Sequence, residues 1–271
     1  MAITDTFQSG VAGGPPAAVV DTSKPDVRVI SLQDIKDAVN KGIEDFSAKP
    51  THLFILVPLY PFLAFCAFLF AGNKALLPLI FPVATGLVLI GPFIAIGLYE
   101  FSHRRERGLD LSWRNAFDFW HSPALPNVMF LGVVLVALFF AWLMAAMLIF
   151  VWTIGRYEPQ TIVEVGELLF TTSAGWSLII FGNLVGLGFA LAAMSISVVS
   201  FPMLLDRNCS VARAVHTSVR VVAKNPVPMA AWGLVVAASL FVGALPLFVG
   251  HAVVIPVLAH ATWHLYRKAV A

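Results

Sequence analysis

The chain contains a long stretch without a charged residue, which runs from Leu168 to Leu205. A membrane-spanning helix needs about 20 predominantly apolar residues, so this stretch can cross a bilayer with length to spare. It is rich in Gly, Ala and Ser, the small residues that let helices approach closely in a membrane. We therefore expect residues 176–205 to form the central packing helix of a membrane bundle.

The overall composition agrees with a membrane protein. Charged residues make up only 12% of the chain and hydrophobic residues 59%, whereas about 25% of the residues in soluble domains are charged. So few charges cannot cover a water-exposed surface. Lipid is therefore expected to be the solvent for much of the chain.

Apolar segments divide the chain into six predicted spans. No charged residue lies between Asn225 and Tyr266, and this run would be about 60 Å long as one helix, too long for a single crossing. It is expected to fold back near residues 243–246. The predicted spans are residues 53–72, 76–99, 128–152, 176–205, 227–242 and 247–266. The predicted fold class is all-α, a polytopic bundle of six transmembrane helices arranged as three hairpins.

A short amphipathic segment followed by proline precedes each predicted hairpin. The segments are residues 31–48, 112–121 and 211–224. Their apolar residues recur at helical spacing, which is typical of helices that lie on a membrane surface. The apolar stripes of the first and third segments are Leu32, Ile35, Val39, Ile43 and Phe46, and Val211, Val215, Val219 and Val222. The recurring order suggests an internal threefold repeat, although interfacial helices precede spans in many membrane proteins.

The basic residues predict the orientation. All but Lys74 and Arg156 of the 17 Lys and Arg residues fall on one side of the six predicted spans. Because cytoplasmic loops carry the excess of positive charge, both termini are expected in the cytoplasm. Residues 1–30 have no hydrophobic period and are predicted to be a disordered tail, which leaves residues 31–271 as the membrane domain.

Polar side chains cluster where the even-numbered spans end. Glu100 and Arg104 are four residues apart and are expected to form an interfacial ion pair, and a proton relay at Glu100 is the alternative. Asp206 is expected either to cap the third amphipathic helix or to pair with the basic cluster after the second span. With Arg207, it is our candidate for a structural latch on the cytoplasmic face.

The fourth predicted span carries the most polar set of residues within the membrane. This set is Gly182, Asn183, Gly186, Gly188, Ser195 and Ser197. Close helix packing is the favoured interpretation, and a pathway for a small solute is the alternative. No Asp, Glu, Lys or Arg lies in the middle of a predicted span, which argues against ion-coupled transport.

Three histidines lie in the last predicted span. His260 and His264 are four residues apart and share a helix face, which makes them candidates for haem or metal ligation. The favoured interpretation places His264 at headgroup level, in an aromatic belt with Trp263 and Tyr266. No cofactor or metal is expected.

Three strings resemble a known family. They are residues 91–100 with the basic cluster that follows, residues 200–207 (SFPMLLDR) and residues 260–264 (HATWH). The family comprises predicted bacterial integral membrane proteins, is classed as a domain of unknown function and is common in proteobacteria; some relatives are labelled cytochrome c oxidase subunit I. The resemblance implies an inner-membrane protein and supplies no catalytic residues.

These observations lead to an expected function. The sequence contains no HExxH, GxSxG or P-loop motif. Its basic residues are dispersed along membrane edges, which speaks against nucleic-acid binding. We expect a non-enzymatic protein that packs against lipids, other membrane proteins or copies of itself. The alternatives are a carrier or channel for a small neutral or hydrophobic solute, and a haem-bearing subunit of a respiratory complex.

Overall fold

The computed structural model describes residues 25–48, 95–109, 122–155, 161–207, 209–246 and 249–271. The first predicted span, most of the second, the amphipathic segment 112–121 and residues 1–24 of the predicted tail lie outside these ranges. The described helices are α1 (Leu32–Ala48), α2 (Ile96–Glu106), α3 (Leu125–Thr153), α4 (Ile162–Thr171), α5 (Ser173–Ser197), α6 (Ser200–Asp206), α7 (Val211–Lys224), α8 (Pro226–Ala244) and α9 (His251–Ala269). Within the described ranges the regular structure is helical, apart from one isolated bridge between Val27 and Val270. The all-α fold class is confirmed.

Three described segments are long and apolar enough to cross a membrane. They are α3, α5 together with α6, and α8, with 29, 34 and 19 residues respectively. They correspond to the third, fourth and fifth predicted spans. Large apolar side chains such as Phe130 and Phe140 on α3 and Ile180 and Leu184 on α5 are exposed, as expected for helices that are solvated by lipid.

The sixth predicted span differs from the expectation. Residues 251–269 are helical as α9, but α9 is not among the described helices that are apolar enough to span. Its histidines and its terminal Arg267 and Lys268 lower its hydropathy. The C-terminal half of α9 packs against α1 and α2 instead of presenting a uniformly apolar surface.

The fourth predicted span is broken close to its end. Helix α5 stops at Ser197 and α6 begins at Ser200, because Pro202 has no N–H to donate to the carbonyl of Val198 and its ring crowds that carbonyl. The N–H of Val199 donates instead to Ser218 Oγ at 3.2 Å. This hydrogen bond connects the break between α5 and α6 to Ser218 of the helix α7.

The predicted central packing helix, residues 176–205, is buried mainly at its end. Helix α5 buries only Gly175, Ala193 and Ser197, whereas α6 buries Ser200, Phe201, Pro202, Met203 and Leu204. Helix α9 instead has the most extensive buried surface, with fully enclosed Trp263 and Tyr266. The reason is that α5 is apolar on all sides, which suits lipid contact, whereas α9 has polar groups that must find partners within the protein.

Helix α1 packs lengthwise against α9, and its predicted position at the membrane surface stays a prediction. The two helices are antiparallel: Lys268 lies beside Asp34, and Gly42 lies between Val257 and Ala261. A Cβ atom at Gly42 would approach the Val257 carbonyl oxygen and the Ala261 nitrogen to 2.7 Å. Only glycine permits this approach.

The buried faces of α1 and α7 are rotated away from their predicted apolar stripes. Helix α1 buries Ile35, Ala38, Gly42 and Asp45, and α7 buries Ala214, Thr217, Ser218 and Val221. Small residues on these faces let the helices approach their neighbours closely. As a result, Leu32 and Ile43 of α1 and Val219 of α7 remain exposed.

Residues 25–30 are held in place, although the sequence assigns them to the disordered tail. Val27 pairs with Val270, and the Ile30 N–H donates to Asn225 Oδ1 at 2.8 Å. The Asn225 amide also donates to the Arg28 carbonyl at 3.1 Å. The predicted tail therefore extends too far along the chain, because these backbone groups find long-range partners that have no local signal.

Candidate functional site

Polar side chains from α1, α2, α6 and α9 meet at one end of the described bundle. We call this region the polar junction. It consists of Asp45 from α1, Ser102, His103, Arg105, Glu106 and Arg107 from α2 and its end, Asp206 from α6, and His260, Trp263, His264, Tyr266 and Arg267 from α9. Helices α2 and α9 form its spine, with one cluster around Asp45 and another around Asp206.

The first cluster surrounds the carboxylate of Asp45, which is only 4% exposed. Ser102 Oγ donates to Asp45 Oδ2 at 2.6 Å, and His264 Nε2 lies 2.8 Å from the same oxygen. Arg105 donates to Asp45 Oδ1. Ser102 Oγ also lies 2.7 Å from Nδ1 of His260, which is fully buried. Three helices are therefore joined through one buried carboxylate.

The hydrogen bonds determine where the protons lie. An ionised carboxylate only accepts, so Ser102 and His264 Nε2 both donate to Asp45. Since the single Ser102 proton is used in this bond, Ser102 accepts from His260 Nδ1–H. A nucleophilic serine would need a base that accepts its proton, whereas here the histidine donates to the serine. The geometry favours joining helices over activating Ser102.

Burial alone would raise the pKa of Asp45. The hydrogen bonds from His264 and Ser102 outweigh this effect, and the pKa of Asp45 lies below its ordinary value. The carboxylate is therefore ionised at neutral pH, which agrees with its three donors.

The second cluster surrounds Asp206, at the end of the fourth predicted span. Tyr266 Oη donates to Asp206 Oδ2 at 2.7 Å, and Arg267 Nη1 lies 3.3 Å from the same oxygen. His103 Nε2 and Arg107 Nη2 lie 3.7 and 3.9 Å from Asp206 Oδ1. The N-cap of α7 is Ser210. Of the two roles considered for Asp206, the structure thus places it against the basic cluster after the second span.

Arg207 turns toward the last residues of the chain. Its Nη2 donates to the Ala271 carbonyl at 2.6 Å, while its Nε lies 3.9 Å from Asp206. Arg207 therefore joins the end of α6 to the segment after α9.

The aromatic residues of α9 do not form a lipid-facing belt. Trp263 and Tyr266 are 0% and 1% exposed, so the predicted belt is wrong. Trp263 Nε1 donates to Glu106 at 3.3 Å, and its ring centroid lies 5.0 Å from that of His103. These side chains fill the space between α2 and α9, because their polar atoms have partners there.

Ion pairs extend both sides of the polar junction. Arg104 Nε donates to Glu100 at 2.9 Å within α2. On the opposite side, Lys268 Nζ lies 2.8 Å from Asp34 and 3.1 Å from Asp37 of α1. The hydrogen bond from Lys268 lowers the pKa of Asp34 from 3.8 to about 2.

The small and polar residues of α5 do not act as one packing motif. A Cβ atom at Gly186 would lie 3.0 Å from Trp142 Cη2 of α3, whereas Gly182 and Gly188 face open space among the described residues. Asn183 is exposed and donates to the Ile179 carbonyl of its own helix at 2.7 Å. Ser195 is half-buried, twelve residues further along α5. Of this set, Gly186 faces a close neighbour and Ser197 is buried, whereas the other members do not pack closely.

The described residues contain no group of three or more His, Cys, Asp or Glu side chains that could hold a metal ion. Among the residues offered for haem ligation, His260 is bonded to Ser102 and His264 to Asp45. Both imidazoles are thus part of the polar junction.

The sequence analysis missed Asp45, Ser102 and Arg105. A signal does exist: His260, His264 and Lys268 follow one another at intervals of four, which places them on one face of α9. Such a polar face within an apolar segment requires acidic or hydroxyl partners. Asp34, Asp37 and Asp45 of α1 supply the acids.

No curated protein and no solved structure matches the chain. A family model does match, over residues 80–206. The matched region contains α2, α3 and the segment from Ser173 to Asp206, which includes two of the described candidate spans. It also contains residues 91–100 and all but the last residue of the SFPMLLDR string, whereas the HATWH string lies outside it. The resemblance is therefore confirmed: through residues 80–206 this chain matches DUF2189, a family of predicted integral membrane proteins.

Proposed function

We propose that this chain is a multi-pass protein of a bacterial inner membrane, with six membrane helices and both termini in the cytoplasm. It acts without catalysing a reaction, by packing its helices against lipids, other membrane proteins or further copies of itself. The 15 Lys and Arg residues on one predicted side support the orientation, since Lys74 and Arg156 alone fall on the other. The family match supports the membrane location.

One observation carries the proposal. The outer surfaces of α3 and α5 present large exposed apolar side chains, among them Phe140, Met144 and Leu148 of α3 and Leu184 and Leu187 of α5. The polar groups at the end of the bundle, by contrast, are paired with one another. The fold thus combines a fixed polar junction with an apolar surface that remains open to lipids and neighbouring helices.

Native mass spectrometry of the full-length protein, gently extracted from its own membranes, tests this function. Bound phospholipids or additional protein masses are expected. A bare monomer under conditions that preserve lipid adducts on a control membrane protein would contradict the packing role. A bound haem mass would replace it with the redox alternative.

The orientation has a separate test. Reporter fusions that fluoresce only in the cytoplasm are expected to fluoresce when attached at either terminus. A phosphatase that is active only outside the cytoplasm is expected to be active when inserted beside Arg156. Activity of the phosphatase at the C-terminus would contradict an even number of spans.

A further inference from the structure

Helix α7 connects two candidate membrane spans. It follows the segment that ends at Asp206 and precedes α8, which begins at Pro226. Both ends of α7 therefore lie at one membrane surface. The start of α3 lies at the same level, since Asn127 Nδ2 donates to the Cys209 carbonyl at 3.2 Å.

The helix is held firmly in this position. Ser210 caps its N-terminus by accepting from the Arg213 N–H at 3.4 Å. Ser218 Oγ accepts from the Val199 N–H at the break between α5 and α6. Ala214, Thr217, Ser218 and Val221 are buried against the bundle. Burial of this face fixes which residues of α7 point away from the bundle.

Two stripes flank the buried face of α7. Successive residues in a helix are about 100° apart, so Val211, Val215, Val219 and Val222 form a row on one side. On the other side His216, Arg220 and Lys224 follow one another at intervals of four and are all exposed. Ala212 and Ala223 lie between the two rows. Val211, Val215 and Val222 are half-buried and pack against the core, whereas Val219 is exposed. The open surface of α7 is therefore mainly basic.

Among the described residues, no Asp or Glu side chain forms an ion pair with this basic row. Lys224 Nζ donates to the Val27 carbonyl, which does not neutralise its charge. The row therefore carries net positive charge at the membrane surface.

We propose that α7 lies in the headgroup region and that the row of His216, Arg220 and Lys224 binds the headgroups of anionic phospholipids. This inference rests on the proposed membrane function. Because α7 connects two candidate spans, its exposed cations lie at the depth of the headgroups, where anionic lipids supply the opposite charge.

The test uses the full-length protein in nanodiscs that contain phosphatidylglycerol and phosphatidylcholine, followed by native mass spectrometry of the retained lipids. Preferential retention of phosphatidylglycerol is expected for the wild type. Arg220→Gln is expected to lower this retention about fivefold, the equivalent of about 1 kcal/mol per cation near the surface. Arg220→Lys preserves the charge and is expected to retain the lipid.

Lys41→Gln is the matched control, because Lys41 is an exposed cation on α1 and belongs to a different surface. Equal loss of phosphatidylglycerol in Lys41→Gln and Arg220→Gln, or no loss in Arg220→Gln, would overturn the inference. Thermal unfolding of each variant checks that it is folded. If the wild type does not fractionate with membranes, the proposed function itself fails; if it does while Arg220→Gln binds normally, only the lipid site fails.

Discussion

His264 Nε2 donates to the carboxylate of Asp45 at 2.8 Å, although the two residues are 219 positions apart in the sequence. This bond links α1 to α9 inside the polar junction. Its energetic weight depends on burial, because a buried carboxylate that loses its donors, or donors that lose their acceptor, cannot be compensated by water.

Replacing Asp45 tests the polar junction directly. Asp45→Asn keeps the shape of the side chain but removes the charge that Arg105 and His264 face. We expect a loss of about 1–3 kcal/mol in the free energy of unfolding, because buried donors lose a charged acceptor. Thermal or denaturant unfolding in detergent measures this loss. The matched control is Glu44→Gln, an exposed neighbour, and an equal loss in both variants would contradict the role of Asp45.

The pair of Asp34 and Lys268 predicts a pH dependence. The pKa of Asp34 is lowered from 3.8 to about 2. Because the folded pKa lies below the unfolded value, the contribution of the ionised form is complete above about pH 4 and is lost as the pH falls toward 2. The difference in unfolding temperature between the wild type and Asp34→Asn should be constant from pH 7 to 5 and shrink below pH 4. A difference that grows on acidification would contradict this pair.

Two glycines of α5 separate packing from lipid contact. Gly186→Leu places a side chain against Trp142, where a Cβ atom would already lie 3.0 Å from the ring. We expect a destabilisation of about 1–3 kcal/mol, typical of overpacking. Gly182→Leu, which faces open space among the described residues, is expected to be close to neutral. The free energy of unfolding of the two variants is compared in the same detergent. Equal values would contradict the contact of α5 with α3.

Glycine-to-alanine substitutions at two helical positions should change the free energy of unfolding in opposite directions. Alanine normally stabilises a helix interior by about 1 kcal/mol relative to glycine, and Gly166→Ala in α4, where the space is open, should follow this rule. Gly42→Ala should destabilise the protein, because its Cβ would lie 2.7 Å from backbone atoms of α9. Stabilisation by both substitutions would show that α1 is not packed against α9.

The apolar helices were predictable because the length and hydropathy of a segment identify a membrane helix. The ends of α3 and α8 lie within three residues of the predicted spans, since proline and polar residues mark both starts. The meeting of Asp206 with the basic residues after the second span was one of two alternatives open to the sequence. The sequence could offer this contact because consecutive spans alternate in direction, so the ends of the second and fourth spans lie on the same side of the membrane.

The orientation of α1 and the role of Asp45 could not be derived in the same way. On a helical wheel Asp45 resembles its exposed neighbour Glu44, and only the position of α9 distinguishes them. Gly182 and Gly186 likewise have the same local sequence character, whereas Trp142 contacts just one of them. Such differences depend on which neighbour faces each side chain, which periodicity does not specify.

The antiparallel packing of α1 on α9 has a consequence for biosynthesis. Helix α1 is translated before Ala261, His264 and Lys268, which it contacts in the folded protein. Until α9 has been translated, the carboxylates of Asp34 and Asp45 remain hydrated and α1 is not packed against its partner helix. The polar junction can therefore close only after the candidate spans α3, α5 and α8, which lie between α1 and α9, have been translated.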